Sequence, residues 1–418
     1  MMLLSVFVAL VFLHSLVSAR LARTIVTAPI VFTVAGMLAF GVLPEFRESE
    51  HSLEVFLQVA EVGLVLLLFS DASRTPLGVL RRIRELPTRL LSVGMLLTIL
   101  LGGIAAVLLF PGFTLWEAAI LAAILAPTDA GLGQVIVTNT RVPVKIRQAL
   151  NVEAGLNDGL SVPFLLFFMA LSGAGEPGGE AARLARFIHE QLGYGVLVGA
   201  GIGWTGGFLL GKARHRHWMA ESWQRLGVVA LPLLCAIGSE AVGASMFIAA
   251  FVAGLCVQVG FRQVGKHSVE FAEEWGQLLN LSVFFLFGLL IARAWDQFHW
   301  AHALYAVASL TIVRMLPVSI ALLGTGLSRA SVMFMAWFGP RGLASIVLGL
   351  VYLEQHTNPA DDRTIRLAVM MTVVFSIFAH GLSAVPGIHW YSRRLQILPR
   401  DALEFSGSEP GVAEKSGR

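Results

Sequence analysis

Two carboxylates stand in one apolar stretch of this sequence, at positions that could support proton or cation chemistry. The stretch runs from Asn151 to Pro163 and carries Glu153 and Asp158, after which the chain becomes continuously apolar. If the stretch is helical, Asn157 lies on nearly the same face as Glu153, whereas Asp158 is turned about 100° further round the axis. The two acids are therefore expected to do different jobs.

Composition indicates the medium in which those acids must lie. The chain has 418 residues, of which 56% are hydrophobic and only 14% are charged. This is too apolar for a soluble protein, so membrane lipid is the expected surrounding. A carboxylate at the centre of a membrane helix costs on the order of 2.5 kcal/mol or more, so both acids must face the protein interior. Nothing resembles a nucleotide-binding loop, and neither a cofactor, a nucleotide nor a nucleic-acid partner is expected.

Apolar runs of about 18 residues or more recur along the chain and predict an all-α polytopic membrane protein with about 13 transmembrane helices. Most Lys and Arg residues fall in alternate connections, which predicts an inner-membrane protein with its N-terminus outside and its C-terminus in the cytoplasm. The first run could instead be a cleaved signal peptide, but it has no basic n-region, and retention is preferred. The crossings are predicted at approximately 3–19, 25–43, 53–70, 90–110, 115–138, 146–171, 188–211, 224–241, 243–260, 277–295, 300–324, 329–353 and 364–388.

The fifth and twelfth crossings are each interrupted near the middle by a proline. The interruptions are residues 126–130, with Asp129, and residues 338–342, with Arg341. Proline removes a backbone donor and opens the helix, which leaves half-helix ends inside the membrane. Asp129 is placed to offset the positive ends and Arg341 the negative ends. Two breaks seven crossings apart predict two inverted six-helix repeats joined by a linker helix.

A cation in the eleventh crossing, Arg314, indicates how the roles of Glu153 and Asp158 differ. Arg314 is the best partner for Glu153, which leaves Asp158 free to change partner. Burial favours the protonated form of a carboxyl group, whereas an arriving cation favours the charged form. A proton and a cation then compete for Asp158, and this competition is enough for exchange across the membrane. Glu61 and Ser161 are further candidates for lining the ion path.

Several motifs in this order resemble the NhaP-type Na+/H+ antiporters of the cation:proton antiporter superfamily. They are Ala126-Pro127-Thr128-Asp129, Glu153 with Asn157-Asp158, Phe284-Phe285-Leu286-Phe287-Gly288, Arg314, and Gly339-Pro340-Arg341-Gly342. The resemblance covers the chain from the third crossing to the thirteenth. It departs from the family at Ala130, at Ala154 and around Asp71, where relatives often have proline, serine, and glutamate with glycine, respectively.

The resemblance implies a secondary antiporter involved in pH homeostasis, not an enzyme. Residues 1–390 would form the transmembrane domain, with a moving core at about 90–171 and 300–388 and further helices for a homodimer, and residues 391–418 a disordered cytoplasmic tail. Asp158 and Thr128 would bind the monovalent cation, with Asn157 shaping the site. Glu153 would pair with Arg314, while Asp129 and Arg341 would stabilise the crossed breaks.

The resemblance does not determine which ion is transported, and it does not exclude every other function. An Asn-Asp pair such as Asn157-Asp158 goes with electroneutral exchange in the superfamily, so one Na+ for one H+ is preferred, with Li+ or K+ as alternatives. A K+/H+ antiporter of the same fold is the main alternative. An intramembrane aspartyl protease using Asp129 and Asp158 is a remote one, since its Gly-x-Gly-Asp motif is absent. A channel or a non-transporting sensor is the last.

Overall fold

The fold is built from helices that pack side by side. The computed structural model describes residues 2–21, 24–42, 52–74, 85–129, 131–172, 187–261, 266–355, 359–399 and 402–405, and their regular secondary structure is entirely helical. The all-α prediction is thereby confirmed. Seven helices in these ranges are long and apolar enough to span a membrane, and four shorter helices are also apolar. The exact count of thirteen crossings stays a prediction.

The helices are numbered here in chain order. They are α1 (Met2–Leu21), α2 (Ala28–Val42), α3 (Ser52–Arg74), α4 (Glu85–Leu109), α5 (Leu115–Ile124), α6 (Gln134–Val137), α7 (Val144–Ser172), α8 (Gly195–His215), α9 (Glu221–Ala241), α10 (Met246–Gly260), α11 (Lys266–Arg293), α12 (Trp300–Ala321), α13 (Arg329–Trp337), α14 (Leu343–Gln355) and α15 (Pro359–Leu395). A π-helical turn, Phe187–Tyr194, leads into α8, and short 3-10 segments lie at Trp295–Gln297 and Leu403–Phe405.

The helices form two groups that pack mainly among themselves. The first group contains α2, α3 and α8 to α11, and the second contains α4, α5, α7 and α12 to α15. Smaller contacts join the groups, chiefly those of α3 with α7 and α14. The second group spans the residues expected to form the moving core, and the movement itself stays a prediction.

Glycines bring α8 and α10 into close contact within the first group. A Cβ atom added to Gly199, Gly203 or Gly207 would collide with the backbone of α10. The four-residue spacing therefore forms a flat face on which another helix backbone can lie, as small-residue faces commonly do in membranes. This packing fixes one side of the first group.

The C-terminal segment is folded onto the end of the second group, contrary to the expectation that disorder begins at residue 391. Ile388, Tyr391 and Leu395 continue the buried face of α15 at helical spacing, which explains why the helix runs on. Beyond it, the Leu403–Phe405 segment packs against α7. The expectation therefore fails for residues 391–399 and 402–405, and residues 406–418 lie outside the described residues.

Glu404 holds this segment against the N-terminus of α13. Its Oε1 accepts hydrogen bonds from the Ser328 amide at 2.8 Å and the Ser331 hydroxyl at 2.6 Å, and the Ser331 hydroxyl also lies 2.8 Å from the Tyr391 hydroxyl. An acid at a helix N-terminus is stabilised by the unpaired amides there. Burial would raise the pKa of Glu404, but the hydrogen bonds from Ser331 and Ser328 outweigh it and hold the pKa below its ordinary value.

Replacing Glu404 by alanine should release the C-terminal segment. The loss of charge-assisted hydrogen bonds should cost on the order of 1–2 kcal/mol locally, seen as faster amide hydrogen exchange at residues 402–405. Because the folded-state pKa is lowered, the ionised acid stabilises the docked segment above the ordinary pKa of 4.5 and this stabilisation is lost as the pH falls further. Docking should thus be constant from about pH 6 to 8. Glu404→Gln is the matched control, with an intermediate effect, and unchanged exchange in Glu404→Ala would contradict the assignment.

Candidate functional site: a crossing of broken helices beside an aspartate

The first broken helix begins with a firm cap and stops at the proline motif. Thr114 and Glu117 form a capping box, in which the Thr114 hydroxyl accepts from the Glu117 amide and the Glu117 carboxylate accepts from the Thr114 amide at 2.7 Å. α5 then ends at Ile124, and the next helix among the described residues is α6. The second broken helix shows the same pattern, since α13 ends at Trp337 and α14 begins at Leu343. Both breaks occur where the sequence predicts them.

The two unwound segments touch, and Asp129 joins them. Its amide donates to the Pro340 carbonyl at 2.8 Å. Its Oδ1 accepts from the amides of Gly131 at 2.7 Å and Leu132 at 3.1 Å, and its Oδ2 accepts from the Leu343 amide at 2.7 Å. One carboxylate thus satisfies amides that follow both breaks, where a negative charge is most stabilised.

Arg341 serves the opposite ends at the same crossing. Its side chain is fully buried, and Nη1 donates to the carbonyls of Ala126 at 2.5 Å and Pro127 at 2.9 Å, just beyond the C-terminal end of α5. Its own amide donates to the Ser376 hydroxyl of α15 at 2.6 Å. The contacts of Asp129 and Arg341 agree with the charge complementarity expected from the sequence. Their functional role stays a prediction.

The glycines of the second break leave room for the charged side chains of Arg314 and Asp129. A Cβ atom on Gly339 would collide with the Arg314 guanidinium, and one on Gly342 would collide with the Asp129 carboxylate. The Gly-Pro-Arg-Gly motif therefore combines a helix breaker, a cation and two positions that admit charged side chains. The two glycines are therefore explained by the lack of space for a Cβ atom as well as by the backbone freedom of glycine.

α15 supports the second break through a chain of polar side chains that the sequence did not predict. His380 Nε2 lies 3.0 Å from the Trp337 carbonyl, so it must carry the proton and donate. Nδ1 lies 3.2 Å from the Ser376 hydroxyl and 3.1 Å from the Ser376 carbonyl, and that hydroxyl accepts from the Arg341 amide. Trp337 Nε1 donates to the Ser383 hydroxyl at 2.9 Å. His380 therefore fixes the end of α13, and Trp337 lies too far from it in sequence for a local pattern to show this contact.

Glu153 and Arg314 form a buried ion pair between α7 and α12. Arg314 Nη1 donates to Glu153 Oε1 at 2.6 Å, and the two side chains are only 3% and 4% exposed. The pairing agrees with the sequence analysis. A pair buried this deeply ties the helix that carries Asp158 to the rest of the second group, and removal of one partner would strand a charge.

Asn157 and Thr128 bind each other. The Thr128 amide donates to Asn157 Oδ1 at 3.1 Å, and Asn157 Nδ2 donates to the Thr128 hydroxyl at 2.7 Å. These two bonds attach the unwound segment to α7 one residue before Asp158. Asn157 thereby positions the break relative to the acid.

Asp158 lies at the wall of a cavity of about 860 Å³. It is only 9% exposed, and its Oδ1 makes no hydrogen bond within the described residues. The cavity wall runs from Asp158 past Asn151 to Ser18 at the end of α1 and Ala28 at the start of α2, so the cavity reaches one face of the helix bundle. This is a buried acid with an approach path and an uncommitted oxygen.

Asp158 also lies on the boundary between the two helix groups. One turn before it, Gly155 faces Asp71 of α3, and a Cβ atom at Gly155 would lie 3.2 Å from the Asp71 Cβ. One residue after it, Gly159 faces Phe251 of α10 so closely that a Cβ atom would collide with the ring. A movement of the second group past the first would carry Asp158 with it.

Asp71 is the cavity residue that the sequence analysis did not place in the site. It lines the same cavity as Asp158, together with Asn280 of α11. A carboxylate close to a helix end is usually solvated, so the sequence alone did not single out Asp71. The only hint in the sequence was that the chain departs from the family pattern around Asp71.

Glu61 and Ser161 do not line the cavity beside Asp158. Ser161 is fully buried, and its hydroxyl donates to the Asp158 carbonyl at 2.8 Å. Glu61 is half-buried in α3, outside the set of cavity-lining residues. Their proposed place on the ion path therefore gains no support from this arrangement, whereas Asp129 does line the cavity.

Comparison with known proteins decides the family. The model of the transmembrane domain of sodium/hydrogen exchangers matches residues 6–390. The chain belongs to the sodium/hydrogen exchanger family. This family comprises secondary transporters, so the protein is a multi-pass membrane antiporter rather than an enzyme.

The relatives with curated names include exchangers of both sodium and potassium. An Na(+)/H(+) antiporter of Schizosaccharomyces pombe is 25% identical over 392 residues, which cover 85% of this chain and 82% of that protein. The K(+)/H(+) antiporter NhaP2 of Shewanella sp. strain MR-4 is 24% identical and covers 78% of this chain. This exchanger chain spans only 56% of the NhaP2 length.

The fold is that of a solved archaeal antiporter. The sodium proton antiporter MjNhaP1 from Methanocaldococcus jannaschii at pH 8 superimposes with a TM-score of 0.73, covering 91% of this exchanger and 99% of that chain at 20% identity. The predicted resemblance to NhaP-type antiporters is confirmed. The likeness at this identity concerns the fold, and the roles of individual residues in this exchanger rest on its own geometry.

Proposed function

We propose that this protein exchanges a monovalent cation for protons, and that both compete for Asp158. The observation that carries the proposal is the uncommitted Oδ1 of this buried acid at the wall of a cavity. Two other acids named from the sequence are already engaged, since Asp129 binds backbone amides and Glu153 binds Arg314. Asp158 is therefore the group whose partner can change during a transport cycle.

Competition at one carboxylate is sufficient for coupled exchange. Burial favours the neutral, protonated acid, whereas a bound cation favours the carboxylate. If the second helix group moves only when Asp158 is neutralised by a proton or a cation, each proton that crosses in one direction requires a cation to cross in the other. One pH unit then supplies about 1.4 kcal/mol per proton.

A one-for-one exchange moves no net charge. Asn157 beside Asp158 cannot titrate, so one carboxylate would carry either one proton or one monovalent cation. The membrane potential, worth about 2.3 kcal/mol per charge per 100 mV, would then neither drive nor oppose transport. We therefore propose electroneutral 1:1 exchange.

Sodium is the preferred cation, with potassium and lithium as alternatives. Monovalent cations of this kind take oxygen ligands, and the cavity offers Asp158, Asp71 and the side chain of Asn280, whose Oδ1 has no hydrogen-bond partner within the described residues. The Thr128 hydroxyl is the further oxygen proposed from the resemblance. Relatives named as Na(+)/H(+) and K(+)/H(+) antiporters leave both ions in contention.

The proposed setting is the cell inner membrane. The cavity lies at the face that carries Arg20 and Arg147, which the positive-inside rule assigns to the cytoplasm, so the arrangement corresponds to an inward-open state. The N-terminus would lie outside and the C-terminus inside. We further propose a homodimer in which the first helix group forms the contact and stays fixed while the second group moves.

An exchange assay in proteoliposomes tests the function directly. Purified protein is reconstituted with an internal pH dye, and Na+, Li+, K+ or choline is added outside at equal ionic strength. Na+ should produce a pH change that choline does not, and clamping the membrane potential at 0 or about −100 mV should leave the rate unchanged. A dye response that is equal for choline and all three metal ions would overturn antiport, and a rate that follows the potential would overturn electroneutrality.

A further inference from the structure

A second cavity of about 540 Å³ lies between α11, α14 and α15. Along α11 the first cavity is lined by Gln277 to Leu281, whereas the second is lined by residues from Phe287 onward. Along α14 the order is the same, so the second cavity lies toward the opposite face of the bundle. Its apolar wall and its polar rim include Leu290, Leu350, Leu353, Arg293, Gln297 and Arg366.

The polar rim of this cavity is positively charged. Arg293 and Arg366 both line it, and the charge of Arg363 adds to the repulsion on Arg366. Neither Arg293 nor Arg366 forms an ion pair or a hydrogen bond among the described residues. The acid nearest on the same helix is Asp362, one turn before Arg366, and it forms no ion pair there either. The site can therefore accept an anion to offset its charge.

Aromatic residues place the rim at the level of lipid headgroups. Trp295, in the connection between α11 and α12, is 64% exposed, and Trp300, at the start of α12, is 75% exposed, so both lie close to Gln297 in the chain. Exposed tryptophans of membrane proteins concentrate at the boundary between hydrocarbon and water. We therefore expect the two arginines at the depth of a lipid phosphodiester, with the leucine wall toward the hydrocarbon.

We propose that this cavity binds an anionic phospholipid. The phosphate would lie between Arg293 and Arg366, because guanidinium groups bind phosphate oxygens in pairs, and Gln297 would donate to the rest of the headgroup. An acyl chain would pack against Leu290, Leu350 and Leu353. The lipid would join α11 of the first helix group to α14 and α15 of the second.

Such a bridge would also affect transport, a consequence that rests on the transport cycle proposed above. A lipid that contacts both groups at one face stabilises the present arrangement, in which the cavity at the other face is open to Asp158. The occupied site would then slow the movement of the second group. Binding itself does not depend on exchange activity.

Lipid binding to the purified protein tests the site without any transport assay. Titrations with phosphatidylglycerol, phosphatidylcholine or inorganic phosphate are followed by native mass spectrometry and by the thermal midpoint in detergent. Wild-type protein should retain phosphatidylglycerol in preference to phosphatidylcholine. The Arg293→Gln/Arg366→Gln variant should bind phosphatidylglycerol about 10- to 30-fold more weakly, as expected for two lost charge contacts.

Arg363→Gln is the matched control, because Arg363 is exposed on α15 and does not line the cavity. Because the charge of Arg363 only adds to the potential at the rim and makes no contact there, this control should bind phosphatidylglycerol within about threefold of the wild type. Equal binding by the double variant and the control would overturn the proposal, as would a wild-type protein without preference for the anionic lipid. A thermal shift reproduced in full by inorganic phosphate would also overturn it, since the ligand would then be a soluble anion. The lipid preference of the wild type decides the matter even if the double variant does not fold.

Discussion

Asp158→Asn should abolish cation-dependent proton exchange, with the initial rate at least about 100-fold below that of the wild type. The substitution keeps the shape of the side chain but removes the group that would bind a proton or a cation in turn. The reduction should appear for Na+, Li+ and K+ alike, because the acid and not the surrounding oxygens provides the competition. Dye-loaded proteoliposomes measure it at matched protein density.

The same substitution should leave the protein folded. Asp158 is 9% exposed and its Oδ1 has no hydrogen-bond partner within the described residues, so the neutral amide removes a buried charge without breaking a contact of that atom. The thermal midpoint should be equal to or higher than that of the wild type. This combination separates a lost ion site from a lost structure.

Asp71→Asn is the matched control for Asp158→Asn, since it removes a second carboxylate from the same cavity. It should weaken cation affinity and raise the cation concentration for half-maximal exchange, while the maximal rate persists. Exchange that persists in Asp158→Asn and disappears in Asp71→Asn would transfer the central role to α3. Undiminished exchange in Asp158→Asn would remove the basis of the proposed mechanism.

The features of the site that sequence could indicate are those with a local physical cause. Pro127 and Pro340 each remove a backbone donor, so both breaks could be placed, and once a helix is open the charges of Asp129 and Arg341 have an evident use. The pairing of Glu153 with Arg314 followed because a charge in a membrane helix needs a partner. These inferences depend on the free-energy cost of leaving a backbone group or a charge unpaired inside a membrane, which applies to every membrane helix.

Other features depend on contacts between distant residues, which no local pattern contains. The Arg341 amide donates to Ser376, and His380 bonds the Trp337 carbonyl, so both contacts join α15 to residues some forty positions earlier. Asp71 lines the cavity because α3 faces Gly155, a contact set by tertiary packing. The docking of Glu404 likewise requires the N-terminus of α13 to lie nearby. Resemblance to a family supplied Thr128 as a site residue, but its bond to Asn157 became visible only in three dimensions.

Removing one member of the Glu153–Arg314 pair should be strongly destabilising, because the partner is left charged in a buried place. Both side chains are at most 4% exposed, so the remaining charge is shielded from bulk solvent. Breaking such a pair typically costs about 3–5 kcal/mol. Arg314→Met and Glu153→Gln should each lower the thermal midpoint and the exchange rate together, as measured by thermal denaturation and in proteoliposomes.

The double variant Glu153→Gln/Arg314→Met decides whether the pair acts through structure or through chemistry. With both charges removed, no buried charge is stranded, and replacing a buried pair by neutral groups is often close to neutral in stability. The double variant should therefore be more stable than either single variant and should recover exchange, since Asp158 and its cavity are unchanged. The coupling between the two substitutions should be on the order of 2–3 kcal/mol, within the range for groups in direct contact. If stability returned while exchange did not, Glu153 or Arg314 would take part in ion transfer itself, because only their charges would then be missing from an intact fold.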